Sequence, residues 1–374
     1  MRIKAAVLNA TGVPAPYARS RPLQIMELDL APPGRGEVLV RIRAAGLCHS
    51  DLSVIDGSRP RPVPMALGHE AAGEIEALGE GVTDLAVGDS VVLVFVPSCG
   101  RCAPCAASRP ALCEPGAKAN GAGTLLSGER RLSFRAEPVN HHLGVSAFAS
   151  HAVVARESCV RIDPGLPFEL AALFGCAVLT GVGAVVNTAR VGPGATVAVI
   201  GLGGVGLSAV LGARLAGARR IVAVDLSNDK LAFARRLGAT DTIDAAQPDA
   251  AQTVRELSGG GVEFAFEMAG ALSALELAYA VTARGGTTVT AGLPHPDRRM
   301  ALAPVTLVAE ERTLKGSYIG SAVPLRDVPR LVALFQAGKL PVDALLTHSL
   351  ALEEINEGFD RLREGVGVRQ VVLP

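Results

Sequence analysis

The chain has no excess of charge of either sign, with 36 Lys and Arg against 36 Asp and Glu in 374 residues. A surface made for nucleic acid or for an acidic partner is therefore not expected. No apolar run reaches the roughly 18 residues that a membrane span needs. The opening MRIKAAVL has strand character and lacks the apolar core of an export signal. These absences favour a cytoplasmic protein, where disulfides are rare. Its 7 cysteines, an odd number, are then better read as metal ligands than as bridges. Hydrophobic residues make up 49% and charged residues 19%, ample for a large core, and the length suggests about two to three domains.

The most strongly patterned stretch lies at 195–225. An apolar run of strand length leads into Gly201, Leu202, Gly203, Gly204, Val205 and Gly206. Small and apolar residues at helical spacing follow, and a second apolar run closes on Asp225. This is a strand–turn–helix–strand unit with G-x-G-x-x-G at its first turn, the context in which that motif binds a dinucleotide. Gly201 permits the tight turn, Gly203 the approach of a pyrophosphate, and Gly206 close packing of helix on strand. Gly204 and Val205 open the helix whose unpaired N–H groups suit a phosphate. Asp225 would accept hydrogen bonds from the adenosine ribose and repel a 2′-phosphate. No Arg follows it directly, so NAD is favoured over NADP. Further on, helices are expected at 229–237, 250–257 and 271–283, and strands near 242 and at 262–268 and 286–291. Such alternation implies an open parallel sheet with helices on both faces.

The first 160 or so residues lack that alternation. Short apolar runs at 5–8, 23–30, 38–42, 71–78, 91–96 and 153–162 read as strands of a small sheet or barrel, and 44–52 as a strand passing into a helix. Between them Cys99, Cys102, Cys105 and Cys113 fall within 15 residues of a Gly- and Pro-containing loop. A loop that cannot bury apolar surface gains stability from a closed tetrahedral zinc site; an iron–sulfur cluster takes the same ligands, usually at other spacings. Residues 116–140 have little periodicity and read as an extended surface loop. Cys159 reads as a core thiol, and His141, His142 and His151 as hydrogen-bonded structural residues. Helices at 168–173 and 179–190 lead into the dinucleotide unit. Helices at 326–337 and 352–363 and a strand at 369–373 end the chain.

Together these features resemble the zinc-dependent medium-chain alcohol dehydrogenases over essentially the whole length. The resemblance is carried by GLCHSD at 46–51, GHE at 68–70, the four-cysteine lobe, GC at 175–176, GLGGVG at 201–206, Asp225, Lys230 and GVGVR at 365–369. The length, with its loop after the lobe, is similar to the longer, dimeric, liver-type and class III-like branch. The resemblance implies an α/β protein: a GroES-like β-rich catalytic domain at 1–177 and 320–374, with its zinc lobe at 97–115, around a doubly wound Rossmann NAD-binding domain at 178–319. The active site would then lie in the cleft between them.

By the same resemblance Cys48, His69 and Cys176 hold a catalytic zinc, a Cys2His donor set that alcohol dehydrogenases use with a fourth position left for substrate. Cys99, Cys102, Cys105 and Cys113 hold a structural zinc, giving two zinc ions per chain. Asp51 would orient the ligand histidine and Glu70 would stand near the metal. Ser50 would take the substrate proton; Ser53 occupies the place where many relatives carry a histidine, leaving His49 or water to complete the relay. His49 and Arg369 would face the coenzyme pyrophosphate, and Lys230 the adenosine ribose. Phe95, Leu143, Leu293 and Tyr318 would line an apolar pocket, implying hydrophobic primary alcohols, aliphatic or benzyl-type, interconverted with aldehydes. Two alternatives stand beside this reading. A glutathione-dependent formaldehyde dehydrogenase, acting on S-(hydroxymethyl)glutathione, would carry an Arg shortly after the last lobe cysteine, where only Lys118 is near. A non-catalytic NAD-binding protein on the same fold would not need the full donor set. The expected partners are a small-molecule substrate and a second copy of the chain.

Overall fold

The computed structural model describes residues 1–374 and divides them into two compact units. The first comprises Met1–Cys176, Val323–Ala333 and Asp343–Pro374; the second comprises Ala177–Ala322 and Leu334–Val342. The short excursion Leu334–Val342, with Leu340 and Val342 fully buried, departs from the assignment of all of 320–374 to one domain. Too short to show a period, it carries no signal of its own in the sequence. No helix is long and apolar enough to cross a membrane.

In the first unit, strands Arg2–Leu8, Leu23–Leu30, Leu132–Phe134, Glu137–His141 and Met65–Ala66 close a barrel in that order. Alternate residues Ile3, Ala5 and Val7 turn inward and meet Leu28, Leu30, Leu132 and Val139, as a two-residue period dictates. A seven-stranded sheet forms beside it around Glu37–Gly46. That strand pairs with Ala71–Leu78, with His151–Ala155 and, at its far end, with the C-terminal strand Arg369–Leu373. The apolar run expected to span 91–96 is a strand only over Ser90–Leu93, and the run at 153–162 is split by a tight turn at Arg156–Ser158.

Residues 116–140 are more ordered than their lack of periodicity suggests. They contain most of a helix, Glu114–Ala122, and the antiparallel strands Leu132–Phe134 and Glu137–His141. The helix is built from small residues without an apolar stripe, so no period marks it. The strands are short and depend on distant partners. Chief among these is Glu37, which is 1% exposed and accepts hydrogen bonds from Arg131 Nε at 2.7 Å, Gly34 N at 2.8 Å and Ser127 Oγ at 2.7 Å.

The second unit is a six-stranded parallel sheet. Its order is Asp241–Asp244, Arg220–Asp225, Thr196–Ile200, Val262–Glu267, Thr282–Thr290 and Thr313–Gly316. Central strand Thr196–Ile200 is buried at every residue, as expected of a strand covered on both faces. The helix expected at 179–190 is α-helical over Ala177–Gly183 and widens into a π-helical turn at Ala184–Ala189. The helix expected at 271–283 stops at Val281, because Thr282 already belongs to the next strand and turns its hydroxyl back to the Ala278 carbonyl at 2.8 Å. Edge strand Thr313–Gly316 is exposed at all four residues and helix Pro304–Ala309 buries none. Neither shows the one-sided burial that produces a readable pattern.

Burial pushes the Glu37 carboxyl up, but its three donors outweigh burial and hold it below the ordinary value. A carboxylate depressed on folding adds stability above its unfolded value of about 4.3 and loses that contribution as pH falls through the folded one. Glu37→Ala, which strands Arg131, should cost about 3 kcal/mol at neutral pH. In denaturant titrations the gap to the parent protein should narrow as the pH is lowered towards about 3.

Candidate metal centres

Three side chains that are far apart in sequence converge in the first unit. Cys48 stands at the N-terminus of helix His49–Ile55, just beyond strand Glu37–Gly46. His69 follows strand Met65–Ala66, and Cys176 follows helix Phe168–Leu173. Their ligand atoms all lie within 4.8 Å of one another, with Cys48 8%, Cys176 5% and His69 0% exposed. His69 Nε2 is buried and has no hydrogen-bond partner. An orphaned ring nitrogen facing two buried thiols is what a metal would satisfy. The donor set fits zinc, and three protein donors leave one tetrahedral position for another ligand. The Cys176 thiol hydrogen bond draws Cys48 well down, and the same bond with burial pushes Cys176 well up.

The opposite side of the imidazole is fixed by a carboxylate. His69 Nδ1 lies 3.1 Å from Asp51 Oδ1, which also accepts the Gly68 N–H at 3.2 Å. Asp51 is fully buried; burial raises its carboxyl, but His69 and then His142 outweigh that and hold it well below the usual range. His142, expected to be a hydrogen-bonded structural residue, has Asp51 as its partner. Its Nδ1 lies 3.1 Å from the same Asp51 oxygen, and its ring sits edge-on to His69 at 5.4 Å. Ser146 fixes that position, its hydroxyl accepting the His142 N–H at 2.9 Å and donating to the Ala66 carbonyl at 2.8 Å. No spacing rule joins positions 51, 69 and 142. Only the doubled histidine at 141–142 marks the place, and His141 is spent elsewhere, accepting the Arg131 N–H at 3.0 Å.

Glu70 is also buried and forms an ion pair with Arg369 at 2.6 Å. Burial pushes the Glu70 carboxyl up to about 7, with Arg369 pulling the other way. Arg369, expected to face a pyrophosphate, is 4% exposed and engaged in this pair. Phe95 lies edge-on to the His69 ring at 5.2 Å and Leu143 adjoins His142; each is 7% exposed. Ser50 and exposed His49 occupy the first turn of the helix after Cys48, and Ser53 donates its hydroxyl to the His49 carbonyl at 2.8 Å. Leu293 and Tyr318 belong to the second unit, 44% and 40% exposed.

A second cluster is formed by Cys99, Cys102, Cys105 and Cys113, whose sulfurs also lie within 4.8 Å of one another. Backbone amides point at them: Cys113 Sγ accepts from Cys99 N at 3.2 Å and Gly116 N at 3.4 Å, and Cys99 Sγ from Cys102 N at 3.4 Å. Four clustered thiols in a loop with donors turned towards sulfur fit a thiolate-bound zinc closed to water. Cys159 is outside both clusters, a fully buried thiol pushed up to about 12 by burial. Lys118 is exposed on helix Glu114–Ala122.

In the second unit Gly203 is the N-cap of helix Gly204–Leu215. Gly201 has φ +90°, and a side chain there would meet Ala269 at 2.7 Å, while one at Gly206 would collide with the Gly201 carbonyl. A side chain at Gly203 would meet nothing within 4 Å, leaving open space over the helix end, which a phosphate fits. Asp225 ends its strand with Oδ2 accepting the Leu202 N–H at 2.6 Å and Oδ1 the Ser227 N–H at 2.9 Å. The acid is thereby tied to the glycine turn. Lys230 lies in the first turn of the following helix, Asn228–Leu237.

Residues 34–164 match the alcohol dehydrogenase GroES-like domain and residues 204–337 the zinc-binding dehydrogenase domain. An alcohol dehydrogenase zinc-binding domain protein from Burkholderia ambifaria is 36% identical, with a TM-score of 0.94 over 100% of this chain and 99% of that one. The benzyl alcohol dehydrogenase of Acinetobacter calcoaceticus is 34% identical, with a TM-score of 0.93 over 100% and 99%. A putative zinc-binding dehydrogenase from Sinorhizobium meliloti 1021, bound to NADP, is 25% identical, with a TM-score of 0.80 over the whole of both chains. The chain belongs to the zinc-binding medium-chain dehydrogenases, with a GroES-like and a Rossmann domain.

His142→Phe removes one of the two imidazoles that hold Asp51 and keeps a ring of similar size. Metal retention at the Cys48–His69–Cys176 site should fall about tenfold or more. Competition with a chelator should show this as one faster-leaving zinc, with loss from the four-cysteine lobe unaltered.

Proposed function

We propose that the protein is an NAD-dependent alcohol dehydrogenase that interconverts hydrophobic primary alcohols, aliphatic or benzyl-type, with their aldehydes, and that it carries one catalytic and one structural zinc per chain. The observation that carries this reading is the buried set of Cys48, His69 and Cys176 with its orphaned ring nitrogen. Zinc held there would supply acidification of a substrate hydroxyl, and NAD would supply the hydride acceptor. Asp51 holds the Nδ1 side of His69, so that Nε2 is the atom left for the metal. Arg369 offsets the charge of Glu70 in buried surroundings. We assign Ser50, two residues from Cys48, to accept the proton of the substrate hydroxyl. Ser53 commits its own proton to the His49 carbonyl, so the outer end of the relay falls to His49 or to water. Phe95 and Leu143, buried beside the imidazoles, favour an apolar substrate, and the benzyl alcohol dehydrogenase relative supports the same class.

The preference for NAD rests on Asp225, with Lys230 on the ribose side. Asp225 stands at the strand end where the adenosine ribose binds in such folds. We further propose a homodimer joined at the edge of the second unit's sheet. Strand Thr313–Gly316 is exposed along its length, and Val305 and Val308 on the preceding helix are 69% and 78% exposed. A bare edge beside an apolar patch is a surface that a second copy would cover.

Metal analysis should give about two zinc ions per chain. Activity with NAD should have higher kcat/KM for benzyl alcohol or hexanol than for polyols. One zinc, or activity confined to S-(hydroxymethyl)glutathione, would overturn the ligand assignment or the substrate class respectively. Asp225→Asn removes the charge but keeps an acceptor. It should narrow the ratio of kcat/KM between NAD and NADP by about tenfold, the effect of about 1.4 kcal/mol. An unchanged ratio would remove Asp225 from coenzyme selection.

A further inference from the structure

Just after the outermost strand of the second unit, three successive residues take left-handed backbone: Ile319 at φ 45°, Gly320 at 65° and Ser321 at 49°. A single left-handed glycine is ordinary, but a β-branched residue there is a steric outlier. Non-glycine residues visit this region singly, not in runs. Strain of this kind persists only where the surroundings enforce it, and it collects at ligand-binding segments.

The surroundings are specific. Thr188 Oγ1 lies 2.8 Å from Ser317 Oγ and donates to Ser321 Oγ at 2.8 Å, so one hydroxyl ties the last strained residue to Ser317, two residues before the run. Asn187 Nδ2 donates to the Gly320 carbonyl at 3.3 Å, and Lys315 Nζ donates to the Thr188 carbonyl at 2.8 Å. Gly183 and Gly320 meet backbone to backbone; a side chain at Gly183 would come within 2.7 Å of the Gly320 carbonyl. Thr188 and Ile319 are each 2% exposed. A helical threonine ordinarily returns its hydroxyl to its own helix one turn back. Thr188 instead spends it on the neighbouring segment, from within the π-helical turn Ala184–Ala189, a feature found most often at functional sites.

Topology says which ligand this segment meets. In an open parallel sheet, ligands bind beyond the carboxyl ends of the strands, and each half of the sheet takes one nucleotide of a dinucleotide. The glycine turn and Asp225 belong to the half built on Thr196–Ile200, Arg220–Asp225 and Asp241–Asp244. The strained run follows the carboxyl end of Thr313–Gly316, the last strand of the other half. We propose that Thr188 is a positioning residue for the coenzyme: its hydroxyl holds Ser317–Ser321 in the conformation that receives the nicotinamide half. The proposal rests on the reading of this unit as an NAD-binding one.

The test compares binding of NADH and of 5′-AMP, which occupies the adenosine half alone, to the full-length protein and its variants. Thr188→Val keeps the shape and removes the hydroxyl. It should weaken NADH about tenfold, an effect of about 1.4 kcal/mol, and leave 5′-AMP unchanged. Thr188→Ser, which keeps the hydroxyl, should restore NADH binding. If Thr188→Val fails to fold, Ser321→Ala removes one of the two bonds and should show a smaller loss of NADH with the same sparing of 5′-AMP. Unchanged NADH binding, or equal losses for the two ligands, would overturn the positioning role. Failure of the unaltered protein to bind either ligand would overturn the nucleotide-binding reading instead.

Discussion

A carboxylate shut away from water must be surrounded by donors, and much of the first unit is arranged to supply them to Asp51. Two imidazoles and one backbone amide converge on a single oxygen of a fully buried side chain. Removing one of them leaves the charge less compensated in a medium where that is costly. The same contact engages Nδ1 of His69, while Nε2 has no hydrogen-bond partner. It also draws together the helix after Cys48, the turn at Gly68 and the segment 141–146, which share no local sequence relationship. A metal held by Cys48, His69 and Cys176 would thus be coupled to folding through Asp51.

The second buried charge, Glu70 with Arg369, makes a similar connection over a longer distance. Arg369 begins the C-terminal strand, which pairs with the end of the strand leading to Cys48. The backbone reinforces this, with Gly46 N donating to the Glu70 carbonyl at 2.7 Å and Leu47 N to the Gln370 carbonyl at 3.0 Å. A pair of this kind is weak evidence for stability, since desolvation offsets much of its attraction. Its effect lies in keeping the electrostatics beside the two cysteines set by fixed groups rather than by water.

In the second unit the constraint is backbone proximity rather than charge. The helix from Gly204 lies so close to the turn that only glycine serves at 201 and 206. Opposite the turn, buried Glu267 accepts from Ala269 N at 2.8 Å, Gly270 N at 2.6 Å and Thr290 Oγ1 at 2.6 Å. It thereby joins the carboxyl ends of two neighbouring strands. The rim of the sheet on one side is thus held by Asp225 and on the other by Glu267 and the Thr188 hydroxyl.

The sequence by itself determined whatever depends on neighbours along the chain. The glycine turn, the alternation of strands and helices and the four-cysteine cluster are local, because turn geometry, burial period and loop chelation act over a few to about fifteen residues. Strands Ala71–Leu78 and Arg369–Leu373 were legible to their ends for the same reason. Pairing of Cys48 with His69 and Cys176 came from resemblance, since no spacing connects them. Only the tertiary structure decided the rest. It brought His142 to Asp51, turned Arg369 towards Glu70, and tied Ser127 and Arg131 to Glu37. It also put three left-handed residues beside a π-helical turn, a conformation no local preference favours. These arrangements are stabilised by contacts between distant segments, and such contacts leave no period or motif to read.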